Sequence, residues 1–111
     1  MDVTISGRHM QVTEPMERHI RSRIAKLTRY DDQIISVTVT LENDSNREQV
    51  EVIAKCHRNV LVTNAEGHDL YDSIDEAFSK LERRVSRLHD KLVNQKARQG
   101  QQAAEENRRP E

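Results

Sequence analysis

Residues able to do bond-making chemistry are few and scattered in this sequence. Five histidines, His9, His19, His57, His68 and His89, show no His-x-x-x-His or comparable ligand spacing. The single cysteine, Cys56, excludes an internal disulfide and any multi-cysteine metal centre. It alternates in step with Val50, Val52 and Ala54, which makes it a small buried hydrophobe and not a nucleophile. Asp69, Asp72, Asp75 and Glu76 form an acidic cluster, but they open a helix, where negative charge complements the free backbone N–H groups. There is no glycine-rich phosphate loop. The expectation is a chain that is not an enzyme, with no catalytic residue, no metal, no cofactor and no small-molecule substrate.

The cations are organised differently. Lys80, Arg83, Arg84, Arg87 and Lys91 follow one another along a helical stretch. At about 100° per residue they fall within an arc of roughly 100°. The apolar stripe of the same stretch centres about 110° away, so one side can be buried while the cations line up beside it. Glu76 is placed to pair with Lys80, whereas Arg83, Arg87 and Lys91 have no acid four residues earlier. Such a row suits a phosphate backbone. A second set, Arg18, Arg21, Arg23, Lys26 and Arg29, lies between residues 18 and 29 with no acid among them. Taken alone it reads as a solvated face. Two helices on one side of a sheet would bring both sets to one surface.

The elements that must hold these cations follow from periodicity. Val3-Thr4-Ile5-Ser6 alternates and stops at Gly7, a short strand. Thr13 and Pro15 start a helix in which Met16, Ile20, Ile24 and Leu27 share a face. Ile35, Val37, Val39 and Leu41 alternate with Ser36, Thr38 and Thr40, the clearest strand. After the polar turn Asn43–Asn46, Val50, Val52, Ala54 and Cys56 line a third strand. Arg58-Asn59 is a tight connection to a fourth strand, Val60 to Ala65. A long helix capped by His68 or Asp69 carries Leu70, Ile74, Ala77, Leu81, Val85, Leu88 and Leu92 on one side. The order β-α-β-β-β-α, with a right-handed crossover making the first two strands parallel, predicts an α+β two-layer sandwich. A four-stranded sheet would carry both helices on one face.

Composition bounds the rest. A chain of 111 residues fits one domain, and 34% hydrophobic against 33% charged residues sits at the polar edge of the globular range. The net charge of −1 hides segregation: residues 31–76 hold eleven acids and three basic residues. For binding a polyanion the local field outweighs the sum. An unpaired cysteine, no basic-then-apolar opening and no long apolar run together predict a cytoplasmic chain that does not touch membranes.

Three segments carry a resemblance. The opening Val3-Thr4-Ile5-Ser6-Gly7, the helix end Arg23-x-x-Lys26-Leu27-x-Arg29-Tyr30, and Asn64-Ala65-Glu66-Gly67-His68-Asp69-Leu70-Tyr71-Asp72-Ser73-Ile74-Asp75 resemble the family of ribosome hibernation promoting factor and ribosome-associated inhibitor A. Leu70 and Ser73 stand where that family is expected to have Met and Ala. The resemblance spans about residues 1–93 and implies a fold similar to double-stranded RNA-binding domains.

It also implies a place on the small ribosomal subunit (16S rRNA) and the 70S ribosome, in the channel used by mRNA and tRNA. There the protein, a monomer when free, would stabilise inactive ribosomes by occupancy under stress or in stationary phase. Carried over by position, the rRNA-binding residues are Arg23, Lys26, Arg29, Lys80, Arg83, Arg87 and Lys91. Arg84 fits by geometry, and Tyr30 either stacks on a base or closes its helix.

Residues 1–93 would then be the ribosome-binding domain and 94–111 a flexible polar tail, matching a short form with a C-terminal extension. That short form lacks the second domain with which longer relatives pair ribosomes. Two other readings stand beside this one: a general double-stranded RNA-binding module, and a modulator of an alternative sigma factor that uses the acidic segment 31–76.

Overall fold

A computed structural model describes residues 1–31 and 33–98, with side chains as far as Val93. Six elements follow in order: β1 (Asp2–Arg8), α1 (Glu14–Leu27), β2 (Ile34–Asp44), β3 (Arg47–Cys56), β4 (Asn59–Gly67) and α2 (Leu70–Arg98). They form one mixed sheet in the order β1-β2-β3-β4. β1 runs parallel to β2, and the other two pairings are antiparallel. The result is the expected α+β sandwich.

Strict alternation gives the sheet two unlike faces. Val3, Val37, Ala54 and Leu61 stand in one cross-strand row, and Ile5, Val39, Val52 and Thr63 in the next. Leu41, Val50 and Ala65 continue the same face. These residues pack with Ile20, Ile24 and Leu27 of α1 and with Ile74, Phe78, Leu81 and Val85 of α2 in one core. Each such side chain stabilises the fold by roughly 1.5–3 kcal/mol when fully buried. Thr63 is the polar member of its row. Its hydroxyl donates to the Ala77 carbonyl at 3.0 Å, so burial leaves no orphan and β4 is tied to α2.

Local chemistry sets the helix starts. Thr13 is extended (φ −84°, ψ 164°), and its hydroxyl accepts the Met16 N–H, with Pro15 in the first turn. Asp69 caps α2: its carboxylate accepts the Asp72 N–H at 3.1 Å. No described helix is long and apolar enough to cross a membrane.

Four features depart from the sequence pattern. Ile34 is buried and Ile35 is 58% exposed, although alternation puts Ile35 on the face of Val37. A register shift between Ile34 and Ser36 is the cause, since one extra residue on β2 moves its neighbours to opposite faces. The β3–β4 turn is His57-Arg58, one residue earlier than expected, and both residues have left-handed backbones (φ 54° and 70°). Phe78, absent from the expected apolar stripe, is the largest fully buried side chain. Helix α2 also continues to Arg98, past the expected domain limit at Val93, and residues 99–111 of the expected tail lie outside the described residues.

The turn yields a test. Two-residue hairpins of this hand favour glycine and asparagine, and a side chain there costs about 1 kcal/mol. Replacing Arg58 by Gly is expected to raise stability by about 0.5–1 kcal/mol, read as a rise of a few degrees in Tm.

Candidate nucleic-acid interface

The rotation of α2 about its own axis decides where its cations go. Its apolar stripe faces the sheet, and one flank lies over the free edge of β4. There Lys80 donates to the Asn64 carbonyl at 2.8 Å and pairs with Glu76 at 3.3 Å. Arg84, one turn on, donates to the Val62 carbonyl. Both carbonyls belong to an edge strand, so the two side chains cap groups that would otherwise be open to a foreign strand. Arg87 and Lys91 repeat the same positions seven residues later and are exposed. Arg83 is exposed on the side away from the sheet. Among the described residues, Arg83, Arg87 and Lys91 form no ion pair.

The opposite flank of α2 meets α1. His19 Nε2 lies 2.8 Å from Asp75 Oδ1, and its ring stands edge-on to Tyr71 with centroids 5.2 Å apart. Arg23 reaches Asp75 at 2.9 Å, Ser79 at 3.3 Å and Glu82 at 3.0 Å. Successive contacts rise in number along both chains, so the helices run in the same direction. Arg23 has a side chain only 15% exposed and its charge is met inside this seam. Its buried Nε has no partner among the described residues.

Of the remaining α1 cations, Arg18 pairs with Glu14 and Arg21 with Glu17, each one turn back. Those acids precede residue 18, which is why the stretch from 18 to 29 looks unopposed in the sequence. Lys26 and Arg29 are exposed and form no ion pair among the described residues. Tyr30 is 41% exposed. The two basic sets therefore share the helical side of the molecule, with the seam at Arg23 between the two helices that carry them.

Sequence spacing misses one cluster altogether. Asp31 follows α1 and is 4% exposed. Its carboxylate accepts the Gln33 N–H at 2.7 Å and meets Cys56 and His57 from the β3–β4 hairpin and His89 from α2. Burial alone would raise the Asp31 pKa, but the Gln33 N–H, His57 and the Cys56 thiol outweigh it and hold the carboxyl below its ordinary value. Burial first, and Asp31 second, push the Cys56 thiol up to about 12. A thiol held protonated in this way is no nucleophile near neutral pH. Only the adjacency of Cys56 and His57 in the chain hints at the cluster.

The sequence profile of the family described as Sigma 54 modulation protein / S30EA ribosomal protein matches residues 3–93. This chain belongs to that family. A ribosome hibernation promoting factor of Pseudomonas putida is 31% identical over 91 residues, covering 82% of this chain and 89% of that protein. One from Azotobacter vinelandii is 30% identical over 105 residues, covering 95% and 96%. The crystal structure of the Thermus thermophilus Protein Y N-terminal domain matches with a TM-score of 0.75 at 26% identity, over 79% of this chain and 99% of that domain. Within the S30EA family fold, then, the α1 and α2 cations named above stand on the helical layer and its β4 flank.

The seam can be tested apart from any partner. Arg23→Ala leaves Glu82, whose side chain is 10% exposed, without its cation. The expected cost is about 2–3 kcal/mol in chemical denaturation, because a largely buried charge loses its partner. Arg23→Met combined with Glu82→Leu is expected to recover most of that loss.

Proposed function

We propose that this protein is a ribosome hibernation factor that binds the small ribosomal subunit through the cations of its helical layer. One observation carries the reading: Arg83, Arg87 and Lys91 are exposed on a helix docked against the sheet and form no ion pair among the described residues. Unpaired surface cations gain more from a phosphate than cations already matched by carboxylates. Lys80 and Arg84 extend the row along β4, and Lys26 and Arg29 add a second contact on α1. Tyr30 offers an exposed ring to an unstacked base. Arg23 acts through position, by locking α1 against α2, and makes no phosphate contact. Relatives named for ribosome hibernation support the assignment.

The mechanism is occupancy. A folded domain lying in the channel for mRNA and tRNA excludes both and leaves the ribosome inactive in the cytoplasm. No bond is made or broken. Residues 1–93 form the binding domain in this reading.

Binding of this kind releases counterions. With about six phosphate contacts, affinity for the 30S subunit is expected to fall about 10³-fold between about 50 and 200 mM salt. The double substitution Arg83→Glu and Arg87→Glu is expected to abolish co-sedimentation with 30S subunits while leaving the circular dichroism spectrum and Tm nearly unchanged. A flat salt response, or co-sedimentation that survives the double substitution, removes the case for this surface. Equal affinity for free RNA duplexes would favour a general duplex binder. Salt-resistant association with RNA polymerase would favour the sigma-factor reading that the family description also carries.

Occupancy makes a separate statement. Excess initiator tRNA with mRNA is expected to relieve inhibition of a cell-free translation system by the protein. Full simultaneous binding of the protein and a P-site tRNA to one subunit would contradict the steric mechanism.

A further inference from the structure

The corner of the fold where α1 leads into β2 gathers side chains of unusual chemistry. Asp31 comes from the loop after α1, Cys56 is the last residue of β3, His57 opens the hairpin turn, and His89 stands on α2. One oxygen, Asp31 Oδ2, is their common neighbour: His57 Nε2 is at 2.5 Å, Cys56 Sγ at 3.6 Å and His89 Nδ1 at 3.7 Å. The ligand atoms of Asp31, Cys56 and His57 all lie within 4.8 Å of one another. We propose that Asp31, Cys56, His57 and His89 form a tetrahedral site for a borderline-soft divalent cation of the zinc class.

Three of the four ligands, Asp31, Cys56 and His57, already stand close enough together to share such an ion. Bonds of about 2.0–2.3 Å to nitrogen, oxygen and sulfur put neighbouring ligand atoms about 3.3–3.8 Å apart in a tetrahedron. Two of the three contacts to Asp31 already have that spacing. The His57 contact must open by somewhat under 1 Å, and His57 sits on a two-residue turn with its side chain 22% exposed. His89 touches the group through Asp31 alone and must swing inward, toward Cys56 and His57, to become the fourth ligand. That turn is what aims the imidazole inward. Cys56 ends its strand facing the core, and the left-handed backbone at His57 brings the next side chain back to the same corner.

The donor set selects the metal. One thiolate and two imidazoles suit zinc or cobalt and are poor ligands for magnesium or calcium, which prefer oxygen alone. One carboxylate and one thiolate balance the two positive charges, so the occupied site is neutral in a place where net charge would be costly. On binding, the Cys56 S–H bond gives way to an S–metal bond and its proton leaves to solvent. Exposure rises from Cys56 and Asp31 in the interior to His89, whose side chain is 48% exposed, which leaves a path for the ion from the surface. Four protein ligands fill the coordination shell, so the site is structural. It would join the α1–β2 loop, the β3–β4 hairpin and α2 at a point between Arg87 and Lys91. This inference does not rest on the proposed ribosome binding.

The test uses the full chain, reduced and freed of metal with a chelator, titrated with Co²⁺ and then with Zn²⁺. Saturation at one Co²⁺ per chain is expected, with a thiolate-to-cobalt charge-transfer band in the near ultraviolet and the visible bands of tetrahedral cobalt. Zn²⁺ should bleach both and raise the Tm. Cys56→Ser should lose the charge-transfer band. Because Cys56 is buried and its replacement can unfold the chain, His89→Gln on the helix surface is the second variant. It should weaken Co²⁺ binding at least about 10-fold with the fold intact. His9→Gln, on an exposed residue by β1, should leave the titration unchanged. Absence of saturable binding, a six-coordinate cobalt spectrum without the thiolate band, or a His89→Gln titration identical to the parent would overturn the site.

Discussion

The buried stripe of α2 is the constraint on which the remaining arrangement depends. Leu70, Ile74, Phe78, Leu81 and Val85 must face the sheet together, and that fixes the helix in rotation as well as in position. Asp75, Ser79 and Glu82 are thereby turned to α1, and Lys80 and Arg84 to the edge of β4. A rotation of one residue, about 100°, would carry charges into the core and uncover Phe78. The positions of Lys80, Arg83, Arg84 and Arg87 are thus set by apolar burial, and their electrostatic surface is a by-product of packing.

Much of this was legible in the sequence because period and burial agree. The alternation of Val37, Val39 and Leu41 and the spacing of Ile74, Leu81 and Val85 reflect one core, so strand and helix identities follow directly. What escaped depends on contacts between distant segments. Arg23 and Lys26 look alike in the chain, and only the docking of α2 makes one an internal tie and leaves the other in solvent. The register shift at Ile34 has no local marker, since two adjacent isoleucines suit either face. Asp31 reads as a helix-ending acid until His57, Cys56 and His89 arrive from strands and helix laid down later.

The two polar regions of the molecule differ in kind. The helical layer presents separated cations, and Lys26, Arg29, Arg83, Arg87 and Lys91 form no ion pair among the described residues, which suits an extended polyanion and tolerates imprecise fit. The Asp31 corner does the opposite. Its groups converge on one point, exclude most water and satisfy one another, which suits a small guest of defined geometry or none. Both depend on α2, through Arg87 and Lys91 in the first case and His89, lying between them, in the second.

The position of β1 has a consequence for how the molecule forms. Strands β2, β3 and β4 and helix α2 are consecutive in the chain, and each pairs with or packs on its neighbour. Strand β1 meets the sheet only through β2, in parallel, with Val3 and Ile5 partly buried and with all of α1 intervening. Closing that connection means ordering a long loop before any contact rewards it. Of the three strand pairings, that of β1 with β2 therefore carries the largest loop-closure cost. Asp2 meets its partner Ser36 only across thirty-four positions of chain, the whole of α1 among them.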